Sequence, residues 1–117
     1  MYLTKFYETE KEDRPECVCH YILPKDKVGR LGGGIVDIQP GGTSYSKAHT
    51  EWRQIFFILE GTGTLVLTGP EGKVTERRVQ ADMVAEIPFN SDHKVVADKG
   101  VRMRYLYIND FSQPLVK

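Results

Sequence analysis

The chain has 117 residues, enough for one domain with a genuine core and too few for two. Its 16 basic and 16 acidic side chains cancel, which argues against a nucleic-acid or membrane surface as partner. No run approaches the roughly 20 apolar residues of a membrane helix, and the charged N-terminus "MYLTKFYETEKEDRPE" lacks the apolar segment of a secretion signal, so a cytoplasmic protein is expected.

Short apolar runs rich in β-branched and aromatic residues, punctuated by glycine and proline, predict an antiparallel all-β chain of ten strands. "YLTKFY" is the first. The charged stretch "ETEKEDRPE" reads as a solvated loop or arm with room for one helical turn. "CVCHYIL" follows and holds the only two cysteines, Cys17 and Cys19. Residues two apart on a strand share a face at a spacing poorly suited to a disulfide, so both are read as free thiols in or beside the core. A metal set of Cys17, Cys19 and His20 would need thiols this chain lacks.

After the loop "PKDKVGRLGGG" come "GGIVDIQ", a corner at "PGG", then "TSYSKAH" and "QIFFILE". "GTLVLTG" and "KVTERRV" form a predicted hairpin whose second strand is an edge with a solvated face. "DMVAEIP", "HKVVAD" and "VRMRYLYIN" complete the set. In the last of these, Arg102, Arg104 and Leu106 alternate with Met103, Tyr105 and Tyr107. One face lines the interior, and register decides which.

Polar, ligand-capable side chains cluster ahead of the strand "QIFFILE". Lys47 and His49 lie two apart and emerge on one face of a strand. If "TEWR" folds the chain back, Gln54 comes beside His49, and the turn in "IPFNSDHKVV" brings in His93. Two imidazoles and one amide oxygen converging from separate strands can hold a divalent ion and leave positions open for substrate.

These residues resemble the two motifs of a small single-domain cupin, a double-stranded β-helix of the jelly-roll type. The family's first motif runs from a glycine through a His-x-His pair and a glutamate to a second glycine, matched here by Gly41, Lys47, His49, Gln54 and Gly61. The second runs glycine, proline, glycine, histidine, asparagine, and those places hold Asp82, Pro88, Asn90, His93 and Ala97. The resemblance implies one cupin domain over residues 1–117, with N-terminal strands or an arm at 1–29, the barrel core at 30–108 and a tail at 109–117.

It also implies a metal held by His49, Gln54 and His93. Lys47 replaces the leading histidine, and an ammonium has three donors and no acceptor. A neutral ligand set without a carboxylate suits Zn, Ni, Fe or Mn better than Mg²⁺ or Ca²⁺. The implied protein binds a small polar, oxygen-rich molecule in the barrel. It acts as a metal-assisted isomerase, lyase or cyclase, with dioxygenase chemistry less favoured. Lys47 or Tyr105 would move a proton.

The alternative is a metal-free cupin that binds or senses a ligand without catalysis, Lys47 filling the vacated space. Glu86 is the nearest candidate carboxylate, a base or substitute ligand if it faces inward and plain surface if outward. Trp52 and Arg53 would lid the pocket. Small cupins pair through sheet edges, so a homodimer is expected, with "YLTKFY" and "CVCHYIL" as contributors.

Overall fold

The structure is a computed structural model that describes residues 1–23, 31–46, 53–88 and 90–111. Ten strands are present among them: β1 (Lys11–Asp13), β2 (Cys17–Leu23), β3 (Leu31–Ile38), β4 (Thr43–Ser46), β5 (Arg53–Glu60), β6 (Thr62–Thr68), β7 (Val74–Gln80), β8 (Val84–Ile87), β9 (Asp92–Ala97) and β10 (Met103–Asp110). They form two antiparallel sheets, one ordered β1-β2-β3-β10-β5-β8 and one ordered β4-β9-β6-β7. Among the described residues no helix is long and apolar enough to cross a membrane.

Period-two alternation decides what goes inside. On β5, Gln54, Phe56 and Ile58 are buried while Arg53, Ile55 and Phe57 are exposed. On β10 the same rule turns Met103, Tyr105 and Tyr107 inward, leaving Arg104 to pair outside with Glu60, as Arg102 just before the strand does with Asp37. The two inner faces meet in one core that contains Ile38, Met103 and Val95, all fully buried. β6 and β7 form the predicted hairpin, and β7 is an edge with most of its residues exposed.

The chain changes sheets repeatedly, and each crossing with all or most of its connection described contains a left-handed residue. Gly41 lies between β3 and β4, Gly61 between β5 and β6, Asp82 between β7 and β8, Asn90 between β8 and β9, and Gly100 between β9 and β10. Glycine reaches this region freely, and Asp and Asn are the other residues that enter it most readily. Gly61 is the whole of its corner. A Cβ there would lie 2.2 Å from the carbonyl oxygen of Arg102.

Gly61→Ala is therefore expected to cost about 2–4 kcal/mol, from strained φ plus a backbone clash. Gly72 in the β6–β7 hairpin also has positive φ but open space around its Cβ. Gly72→Ala should cost only about 1 kcal/mol. Urea unfolding of the two variants measures the gap, and equal costs would contradict it.

Three expectations are corrected. "YLTKFY" is not a strand. Its end forms a 3-10 turn over Phe6–Glu8, and Phe6 packs its ring against His20 (5.2 Å) and Arg104 (5.1 Å). The charged stretch instead supplies the short edge strand β1, paired with β2. Leu31 and Gly32, read with the loop, belong to β3, as the expected strand residues Gly33 and Gly34 do. A side chain at Gly34 would strike the phenol of Tyr107 and the carbonyl of His20, so the bare backbone makes room for them. Finally, β4 and β5 do not fold back on one another. They lie in opposite sheets, β4 paired with β9 and β5 with β10 and β8.

Candidate metal and ligand site inside the barrel

A cavity of about 170 Å³ lies between the sheets. One wall comes from β4 and β9, with Ser44, Ser46 and His93, and the other from β5 and β10, with Gln54, Tyr105 and Asn109. The crossing of the chain from sheet to sheet brings together residues far apart in sequence.

Gln54 is the first inward residue of β5 and stands opposite Asn109 of β10. Its side-chain Nε2 donates to Asn109 Oδ1 at 2.7 Å. With its NH₂ group so engaged, the carboxamide has its oxygen left over. Gln54 Oε1 is buried and has no hydrogen-bond partner among the described residues. An unmet buried acceptor costs roughly 1–3 kcal/mol, a penalty that a cation or donor in the cavity would relieve.

His93 is 4% exposed and sits on β9 directly opposite Ser46. Its ring meets Phe56 edge-on at 5.3 Å. Phe56 in turn stacks obliquely on Tyr105 at 4.5 Å, so one phenylalanine supports both an imidazole and a phenol. Tyr105 Oη lies 3.0 Å from Ser44 Oγ. Burial pushes the Tyr105 pKa well above the ordinary tyrosine value, against a smaller opposing effect of the Ser44 hydrogen bond. Tyr107 is raised in the same way, first by burial and then by its contact with the Cys19 thiol at 3.5 Å. Both phenols hold their protons at neutral pH and serve as donors, not bases.

Gln54, His93 and Tyr105 thus share one cavity. Lys47, His49 and Trp52 lie outside the described residues, although Ser46 and Gln54 on either side of that stretch both line the cavity. Glu86 faces outward and pairs with Arg53. Arg53 itself opens β5 with its side chain outside, so the lid role expected for it is not met. Cys17 and Cys19 are buried free thiols on the inner face of β2. His20 takes the opposite face against Phe6, which separates it from the thiols. Among the described residues no three His, Cys, Asp or Glu side chains gather as a metal cluster. Sequence reasoning missed Ser44, Asn109 and Arg14. Only Arg14 left a trace, as a basic residue inside a charged stretch read as solvated.

A family model described as "Cupin domain" matches residues 34–109. The chain belongs to the cupin domain family. The left-handed Gly41, Gly61, Asp82 and Asn90 occupy the glycine places of the two cupin motifs, which explains why Asp and Asn are tolerated there.

A search of the curated proteins finds no match. Among solved structures, this cupin is similar to the polyketide cyclase RemF from Streptomyces resistomycificus, at TM-score 0.70 and 21% identity over 97% of this chain and 82% of that one. It is similar to the Fe(II) form of HppE, at TM-score 0.77 and 15% identity over 93% of this chain and 60% of that one. An oxalate oxidase gives TM-score 0.79 and 17% identity over 97% and 60%. The cupin therefore spans about 60% of the length of HppE and of the oxalate oxidase. At such identities the likeness is one of fold.

Proposed function

We propose that this cupin holds a divalent transition metal through His49, Gln54 and His93 and carries out isomerase-, lyase- or cyclase-type chemistry on a small, oxygen-rich molecule. The observation that supports it is the buried, unpartnered Gln54 oxygen in the same cavity as His93. The donor set, imidazole and amide without a carboxylate among the described lining residues, suits Zn, Ni, Fe or Mn over harder ions. When bound, the metal would supply Lewis acidity to a carbonyl or enolate oxygen. Asn109 fixes the sense of the Gln54 amide so that its oxygen stays available. Tyr105 orients the ligand by donating from its protonated hydroxyl, and Lys47 moves the proton. The metal-free reading draws on Lys47 standing where the motif has histidine.

Metal analysis of protein purified without chelator, followed by Zn²⁺ and Ni²⁺ titration, separates the two readings. About one ion per chain, lost in His49→Ala, is the expected result. A wild-type chain that takes up neither ion overturns the metal reading.

We further propose a homodimer that pairs through the outer face of the six-stranded sheet. Ile35, Leu106, Phe57 and Val84 stand in cross-strand register there, beside Ile108 and Ile55. Phe57 is 37% exposed and Val84 64%. The charges around the strip are already neutralised within the chain, as Arg53–Glu86, Arg102–Asp37 and Arg104–Glu60. An apolar strip framed by neutralised charge suits a second copy of itself, not an acidic or basic partner. Light scattering should give a dimer at micromolar concentration and a monomer for Phe57→Lys. A monomeric wild type refutes it.

A further inference from the structure

Among the described residues lining the cavity, Arg14 alone carries a full charge, and there is no Asp or Glu. It lies in the turn from β1 to β2, where its amide donates to the carbonyl of Cys17 at 2.9 Å. That turn carries the guanidinium to the inner face of β2, near Cys19 and Tyr21.

The contacts it makes there are loose. Nε and Nη2 reach the two oxygens of Glu12 at 3.4 Å each. A charge-assisted pair of this kind closes to about 2.7–2.9 Å when it is well made, as Arg102 Nε does to Asp37 on the outer face, at 2.7 Å. The Glu12 side chain is 51% exposed, and it also accepts the Tyr21 hydroxyl. The guanidinium is therefore held in place by a partner that a better-desolvated carboxylate can displace. Around it the wall offers hydroxyls, Ser44, Tyr105 and Tyr107, which the pKa argument above makes donors in the case of the tyrosines.

We propose that Arg14 is the anchor for a carboxylate on the ligand, so that this cavity takes small carboxylic acids in their anionic form. The proposal rests on the reading of the cavity as a ligand site and is independent of the metal. A guanidinium fork matches one planar carboxylate with two parallel hydrogen bonds. The volume, close to the roughly 150 Å³ that accepts a benzene ring, limits the ligand to a few carbons.

Lactate and its neutral counterpart lactamide are the probes, titrated into the full chain by NMR with and without Zn²⁺. Wild type should prefer lactate by at least about tenfold. Arg14→Gln should abolish that preference, and Glu12→Gln, which frees the guanidinium, should strengthen lactate binding. Arg102→Gln, on the outer face, should leave it unchanged. Equal lactate affinity in wild type and Arg14→Gln overturns the proposal, as does a wild type that binds no lactate. If Arg14→Gln fails to fold, the exposed Glu12→Gln still decides: unchanged or weaker lactate binding counts against it. Zn²⁺ uptake by the same samples is read separately, so loss of metal binding alone sinks only the metal reading.

Discussion

Replacing His93 by alanine should lower the affinity for Zn²⁺ or Ni²⁺ by at least about 100-fold while the barrel stays folded. Removing an outer-shell partner of a metal ligand typically costs about 10–100-fold, so loss of the ligand itself sets a higher floor. His93 is almost fully buried in the cavity, and the neighbouring Gln54 oxygen has no partner among the described residues, so none of their side chains stands ready to replace the imidazole. His20→Ala is the matched control, because His20 packs outside against Phe6. Calorimetric titration of the three proteins, with circular dichroism to verify the fold, makes the comparison. An unchanged titration for His93→Ala removes His93 from the site.

Phe56→Ala should destabilise the protein by about 3–5 kcal/mol. Phe56 is 1% exposed and touches both Tyr105 and His93, so truncation opens a void where the core meets the cavity. Against a total of roughly 5–15 kcal/mol for a domain, this is a large fraction, equivalent to a fall in Tm of roughly 10–20 °C. Leu59 belongs to the same strand, 39% exposed and pointing outward. Leu59→Ala should cost less than about 1 kcal/mol. Thermal melts that give the two variants the same loss would mean that Phe56 does not hold the core.

The division of labour between these neighbours was legible before any coordinates. Alternation in "QIFFILE" separates Phe56 from Phe57, and the same alternation limits β10 to two choices. Which choice holds was not legible, because register depends on the strands that pair with β10, and those are distant in sequence. Spacing singled out Gln54 and His93, but it carried no sign of Asn109. That residue matters only because β5 and β10 are neighbours in register. Arg14 was hidden for another reason. A basic residue in an acidic stretch looks solvated until the short β1–β2 turn carries it inward. "YLTKFY" had the right residue types for a strand, yet Phe6 packs over His20 and Arg104 instead of extending a sheet edge, a contact set by strands distant in sequence.

The single-residue corner at Gly61 limits where this chain can change its length. Two strands in different sheets abut there, so one added residue would rotate everything beyond it by half a period and turn Gly63 and Leu65 out of the core. The β6–β7 hairpin around Pro70 and Glu71 stays within one sheet and ends in open space, where the same addition moves nothing behind it. A fluorophore, an epitope or a longer natural loop would be accepted at that tip and refused at the corner.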